Sequence, residues 1–398
     1  MKYLLLAGLL LTTALRPAAA QQRITGKIVD AATGQPVPYA SISVLNTTTG
    51  TSSNAEGEFE LRAALPARLV VSELGHERDT VAVDVAAATA PLLVRLQPAS
   101  VLLPEVQVGS YLSELIAEAY RKLQATHDQK QYGQAFYRQV TRLAGDATEV
   151  QEMVWEAASS SAGVEGTALA QARFAKKKAL LSFNNFSIYT KQYVVYNPQD
   201  DSTQKGLIGL HTDQYLRLKL LGVTQDGPRQ LVEIGFESKE ESTTKRAHGS
   251  MVIDENMHQL LRLRLETAAM KTKSNNPLFK FKDEVTQLEW VFQPRPGGAA
   301  TLDYLRVDYR ANLGRLAKPD LPIQVASFAY FYNGRPTPNA SVTYAPAKGG
   351  EVDLATIKKT TYDPAFWQNN AVVKRTPLED QVMKSFEQKG AFGTMLTP

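Results

Sequence analysis

The period of the apolar positions changes along the chain, and each change predicts a different kind of element. Between residues 22 and 98 the alternation comes in short runs, at 23–29, 38–45, 49–53, 57–62, 68–74, 78–84 and 91–97. Turn residues cut them apart: Asp30, Thr33-Gly34, Pro36, Pro38, Thr49-Gly50 and the stretch from Asn54 to Gly57. Short strands at that spacing predict a seven-stranded antiparallel β-sandwich. In the last run Val94 and Leu96 alternate with Leu93 and Arg95, which turns an apolar face toward a core.

The period then lengthens. In "GSYLSELIAEAYRKLQAT" Leu112, Leu115, Ile116, Ala119, Tyr120 and Leu123 fall at helical spacing, a single stripe on a helix over 111–126 with Ser110 as N-cap. A strand begins in "FYRQVTRL" at 136–143, a mixed segment follows at 149–163, and from about residue 229 the period is two. Leu261, Leu263 and Leu265 alternate with Arg262, Arg264 and Glu266, and Leu305, Val307 and Tyr309 alternate with Arg306, Asp308 and Arg310. With 229–237, 247–254, 278–293 and 323–333 these runs make an antiparallel meander that has one apolar face. The order predicts a curved sheet wrapped around the 111–126 helix. Near the end Thr376 is an N-cap, Pro377 the first helical residue and Glu379 the partner in a capping box. Leu378, Val382 and Phe386 then share a face, and Gly390 stops the helix.

The fold expected is mainly β: a sandwich over 22–98, a linker over 99–110, and an α+β domain over 111–398 with a curved antiparallel sheet packed on a helix. An outer-membrane barrel shows the same alternation. The six or seven strands counted after residue 229 fall short of its usual minimum of about eight, so a soluble domain is expected instead.

Composition adds a compartment. Residues 1–20 carry Lys2, the apolar run Tyr3–Leu15 and the end Arg16-Pro17-Ala18-Ala19-Ala20, the three parts of a secretory signal peptide. The run is too short to cross a bilayer of about 30 Å as a helix, so cleavage near Gln21 and export are expected. The chain has no Cys, which removes disulfides, thiolate ligands and Cys nucleophiles and leaves the core to hold its 398 residues together. The formal charge of +4 loses Lys2 and Arg16 with the leader, leaving about +2 and no bulk field for nucleic acid. Lys176-Lys177-Lys178 and the group Lys271, Lys273, Lys280 and Lys282 lack the interleaved aromatics of a single-strand platform and read as solvated faces.

The N-terminal segments "GKIVDAATGQPVPYASISV" and "GTSSNAEGEFEL" resemble the carboxypeptidase regulatory-like domain, a transthyretin-like sandwich found in many exported proteins. Gly26, Asp30, Thr33, Gly34, Pro38, Ala40, Val44, Gly50, Thr51, Gly57 and Phe59 fill the pattern of that family. Asn54 stands where Asp is usual, and His76, in "SELGHE", stands at the usual aromatic position. "LQPASVLLPEVQV" at 96–108 resembles the segment that ends this module in Gram-negative envelope proteins, and "YDPAFWQNNAVVKRTPLE" with "AFYRQ" resembles stretches of uncharacterised envelope proteins that carry the same sandwich. "GSMVIDENMHQLLRL" resembles a strand pair of periplasmic half-barrels that hold lipid or lipoprotein chains. The resemblance implies an architecture and a compartment. It implies no hydrolysis, since this domain type accompanies the peptidase without its chemistry.

The residues themselves supply no catalytic spacing. None of His76, His127, His211, His248 and His258 has Glu at +3 or His at +4, so the metallocarboxypeptidase arrangement is absent. His248 and His258 read as surface or edge-strand residues. No Gly-x-Ser-x-Gly elbow or phosphate-binding loop occurs. Asp200 and Asp201 read as a polar loop, and Trp290 shares a face with Phe292 as core. No catalytic, metal or cofactor-binding residue is assigned.

The leading expectation is an exported, non-enzymatic envelope protein, periplasmic or associated with the outer membrane. It would bind an envelope protein, a lipid or a glycan, and no nucleic acid. One alternative is a hydrolase of envelope polymers whose carboxylates converge in the fold. Another is a lipid or lipoprotein carrier with a groove lined by Leu261, Leu263 and Leu265.

Overall fold

The computed structural model describes residues 21–102, 109–177, 179–196, 207–239, 247–272, 278–316, 318–346, 352–369, 372–376, 379–380 and 382–384. The leader, the Asp200-Asp201 loop, Phe386 and Gly390 lie outside the described residues.

The first unit has the seven strands that the alternation predicts: β1 Gln22–Asp30, β2 Ser41–Val44, β3 Gly50–Ser52, β4 Glu58–Ala63, β5 Ala67–Ser72, β6 Asp79–Val83 and β7 Leu92–Leu96. They form two sheets, β4-β1-β7 and β3-β2-β5-β6, around Ile24, Ile28, Ile42, Phe59, Leu69 and Val71, all with no exposed surface. One pairing is not antiparallel. The chain leaves β6 in one sheet and crosses to the other, so β7 lies parallel to β1, from Gly26 opposite Leu92 to Asp30 opposite Leu96. Gly57 takes a φ of 73° and a Cβ there would fall 2.4 Å from the Ile28 carbonyl, so only glycine fits.

The second unit is one large sheet. Its strands are β8 Ser100–Leu102, β9 Gln131–Leu143, β10 Asp146–Ser160, β11 Gly163–Lys176, β12 Leu216–Asp226, β13 Arg229–Ser238, β14 Ala247–Asp254, β15 Gln259–Thr267, β16 Phe279–Gln293, β17 Thr301–Arg315 and β18 Lys318–Arg335. The order is β11-β10-β9-β18-β17-β16-β15-β14-β13-β12-β8, open between β11 and β8. The meander is thus larger than the alternation indicated, for two physical reasons. β10 is buried on both faces over nearly its whole length, and its polar residues Glu149, Gln151 and Glu152 are covered too, so its pattern marks no solvent face. β12 carries a bulge between Leu220 and Gly222 that shifts its period halfway along. The 99–110 segment also contributes structure: β8 pairs with β12, and the helix opens at Gly109, which places Ser110 inside the first turn instead of at the cap.

That helix, α1 Gly109–Ala125, lies on the inner face of the sheet. Leu112, Ile116 and Ala119 are fully buried with Ile234, Met251, Leu261, Leu263, Trp290 and Leu305. Each large apolar side chain removed from water here contributes roughly 1.5–3 kcal/mol, which is what holds an otherwise amphipathic helix in place. Short helices cover the β9–β11 end: α2 Ile188–Lys191, α3 Asp353–Ile357 and α4 Pro364–Asn369. Ile357 packs with Tyr137 and Trp155, and Trp367 packs with Phe136 and Val154. The capping box is present. Thr376 N donates to Glu379 Oε2 at 2.9 Å and Glu379 N donates to Thr376 Oγ1 at 3.0 Å, and beyond it Val382 and Met383 pack on Val140, Val150 and Ala175.

Candidate functional site

The sandwich sits on the outer face of the sheet, and the seam between them holds three clefts. Tyr39 enters the sheet from a left-handed turn (φ 57°), with its ring 5.2 Å from Phe328 and 5.9 Å from Tyr304, and the Arg306 guanidinium 4.3 Å over it. Burial raises the Tyr39 hydroxyl above its ordinary value. Residues 372–375 run as a strap along the seam. Val373 bridges in parallel to Ser52, Thr51 Oγ1 donates to the Val372 carbonyl at 2.5 Å, and Lys374 pairs with Glu58 at 2.9 Å.

A cleft of about 640 Å³ opens beside the strap. Its floor is a cross-strand triad: Glu152 of β10 stands opposite Arg138 of β9 and Arg173 of β11. Arg138 Nε donates to Glu152 Oε1 at 2.7 Å and Arg173 Nε to Oε2 at 2.5 Å, and all three side chains are buried. Burial alone would raise the Glu152 carboxyl, but Arg173 and Arg138 bring it down to about 2. Arg138 also donates to Glu379 and to the Val373 carbonyl, each at 3.2 Å, and Arg173 lies 4.4 Å over the Trp367 ring. These charges are spent on one another, so this cleft is built around an internal tie between sheet, strap and C-terminal helix.

The neighbouring cleft, of about 320 Å³, is different in chemistry. Thr47, Thr48, Gln131, Gln134, Ser159 and Asn333 supply uncharged hydrogen-bonding groups, and Tyr332 supplies a ring stacked on Tyr330 at 5.9 Å and 6°. At its base is Asp303. In β17 the register with β16 shifts from Tyr304 opposite Val291 to Leu302 opposite Phe292, which leaves Asp303 as the extra residue of a bulge. Leu302 and Leu305 stay in the inner core and the bulge turns Asp303 into the seam. Its side chain is 4% exposed, and burial pushes its carboxyl up to about 7 against the hydrogen bond from Gln293. Gln293 Nε2 donates to Asp303 Oδ1 at 3.0 Å and reaches Ser41 Oγ of the sandwich at 2.8 Å. Oδ2 takes no hydrogen bond among the described residues. A third cleft of about 190 Å³, near Arg262 and Glu73, meets Asp303 from the other side.

His76 anchors the far end of the seam. Its Nδ1 lies 2.7 Å from Glu73 Oε2 and its Nε2 3.0 Å from Asp30 Oδ2, while Glu73 Oε1 is 4.0 Å from Arg262 of the sheet. The bond to Glu73, with Asp30 in support, raises the imidazole above its ordinary value against the opposing effect of burial. No group of three or more His, Cys, Asp or Glu among the described residues could hold a metal ion.

Leu261 and Leu263 are in the core beneath α1, and Leu265 is half-buried at its margin. His248 lies 3.5 Å from Glu266 and His258 forms the β14–β15 turn with φ 52°, so the two are not brought together around a ligand. Trp290 and Phe292 are core residues. Sequence reasoning passed over Asp303, whose signal is a carboxylate at an apolar position of the period-two run "TLDYLRV".

Residues 24–108 match the model of the CarboxypepD_reg-like domain family. No curated protein matches the chain. Among solved structures, a DUF1329 family protein from Desulfovibrio piger ATCC 29098 is similar at 10% identity and a TM-score of 0.23, over 60% of this chain and 96% of that one. A protein of unknown function from Bacteroides fragilis NCTC 9343 is similar at 11% identity and a TM-score of 0.16, over 80% of this chain and 99% of that one.

Proposed function

We propose that the chain is an exported envelope protein that binds a neutral, hydroxyl-rich glycan in the seam between its sandwich and its sheet and does not turn it over. Export rests on the charged, apolar and small-residue parts of residues 1–20. The reading is carried by Asp303, a buried carboxyl turned by a bulge into a cleft of mostly uncharged polar groups that Arg295 also lines, with one oxygen uncommitted. A carboxyl poised near neutrality can accept from or donate to a sugar hydroxyl, the flanking amides and hydroxyls complete the contacts, and the Tyr332 ring offers an apolar face.

Native mass spectrometry of the mature protein from its own envelope, together with calorimetric titration of maltoheptaose and cellohexaose, tests this. Retained mass in hexose steps, or binding that Asp303→Ala and Tyr332→Ala each weaken at least tenfold, is the expected outcome. Clean apo mass together with no binding to either probe sinks the reading. Asp303 also favours a second reading, a glycan hydrolase that uses it as the acid. Release of reducing ends that Asp303→Asn abolishes would put that reading first.

A further inference from the structure

We propose that one end of the large sheet docks on an anionic lipid bilayer. The topology gathers there what the sequence keeps apart. β11 ends at Lys176, opposite Glu149 near the start of β10; β9 ends at Leu143, opposite Ile323 near the start of β18; and β17 ends at Arg315, opposite both Lys318 of β18 and Phe279, the first residue of β16. Lys176 of one lysine-rich stretch and Lys280 and Lys282 of the other, which read as separate solvated faces, therefore come to the same edge of the molecule.

At the tip are two leucines. Leu278 and Leu316 flank the terminal Phe279–Arg315 pair and are 61% and 80% exposed, whereas Phe279 and Phe281 behind them pack on the core. Exposed leucines scattered singly need no explanation, but two beside one strand pair make a small apolar prow. Lys280, Lys282, Arg315 and Lys318 surround it against two carboxylates, Asp283 and Asp320. Lys282 is paired with Asp320 at 3.0 Å, and Lys280 and Lys318 make no ion pair among the described residues. Asp283 is held by Asn312 Nδ2 at 3.1 Å. Leucine that can enter the acyl boundary, ringed by lysines that stay at the headgroups, is the chemistry of a peripheral contact with anionic lipid.

Each cation brought to such a surface strengthens partitioning by about fivefold. The test is co-sedimentation of full-length mature protein with vesicles of phosphatidylethanolamine and phosphatidylglycerol at 3:1, and with phosphatidylcholine alone, at 50 and 300 mM salt. Binding to the anionic vesicles alone, weakened by salt, is expected. Lys280→Glu/Lys318→Glu should lower it at least tenfold, and Leu278→Ser/Leu316→Ser should lower it without removing its salt dependence. Circular dichroism of both variants checks that they fold, and the surface lysine pair keeps the test open should the leucine pair not. Wild type that leaves anionic vesicles bare at 50 mM salt, or binding that both variants retain, overturns the proposal. Sedimentation only with native envelope membranes, lost when those membranes are first treated with protease, would assign the tip to a protein partner and also overturn it. The seam variants Asp303→Ala and Tyr332→Ala should bind vesicles as wild type does, so failure here and failure of the glycan reading are separate results.

Discussion

The side-chain amide of Asn54 donates to the backbone carbonyl of Arg375 at 3.0 Å, tying the sandwich to the strap. Its Oδ1 meanwhile accepts the N–H groups of Glu56 and Glu58 at 3.0 and 2.9 Å. An aspartate at this position could make the two local bonds and not the distant one, which gives a physical reason for the departure from the family pattern. Asn54→Asp is expected to keep the hairpin, set a carboxylate against a carbonyl, and lower stability by about 1–3 kcal/mol. Hydrogen exchange read by mass spectrometry should rise in residues 373–375 and stay unchanged in β1. Equal protection of the strap in both proteins would show that this bond does not hold it.

Glu152→Gln leaves Arg138 and Arg173 buried without their shared anion and should cost about 3–5 kcal/mol near neutral pH. The wild-type carboxyl, at about 2 when folded, contributes stability above its unfolded value of about 4.3 and loses it as the pH falls toward 2. Urea midpoints at several pH values should therefore converge for the two proteins toward the acid end.

Asp303 works in the opposite direction. Its folded value of about 7 lies above an unfolded value of about 3.9, so the folded state holds the extra proton. Its contribution is present below about pH 4 and is lost as the pH rises through 7. Asp303→Asn should become progressively more stable than wild type across that window and keep a constant advantage above it. A flat difference between the two urea profiles would mean that the carboxyl is not held neutral.

His76→Phe restores the aromatic residue expected at that position and removes the ring nitrogens that meet Glu73 and Asp30. Because the folded imidazole is raised, its contribution is complete below about 6.5 and disappears as the pH climbs through the folded value. The wild-type midpoint should show this alkaline decline and the variant should not.

The sandwich was legible because its turns are spelled out by Gly, Pro and Asn and its strands are half-buried. β13 to β18 were legible for the same reason of alternation, as in Leu261, Leu263 and Leu265. β10 was not, since a strand covered on both faces buries polar residues such as Gln151 and Glu152 among apolar ones and shows no regular beat, and β12 was not, since its bulge breaks the count. Asp303 escaped for a related reason: period two assigns it to the side of Leu305, and only the paired strand shows that the bulge turns it outward. Arg138, Glu152 and Arg173 carry no local signature at all, because cross-strand neighbours are set by register. The capping box at Thr376 and Glu379 needed only four residues and could be read directly.

The pairing of β9 with β18 also bears on how the chain comes to be folded. Gln131–Leu143 is made early and Lys318–Arg335 late, so the middle of the sheet stays an unsealed pair of edges until most of the polypeptide exists. Long-range ladders of this kind close slowly, and open strand edges invite other chains in the meantime. A nascent protein of this design depends on being kept apart from its neighbours until its last long strand arrives.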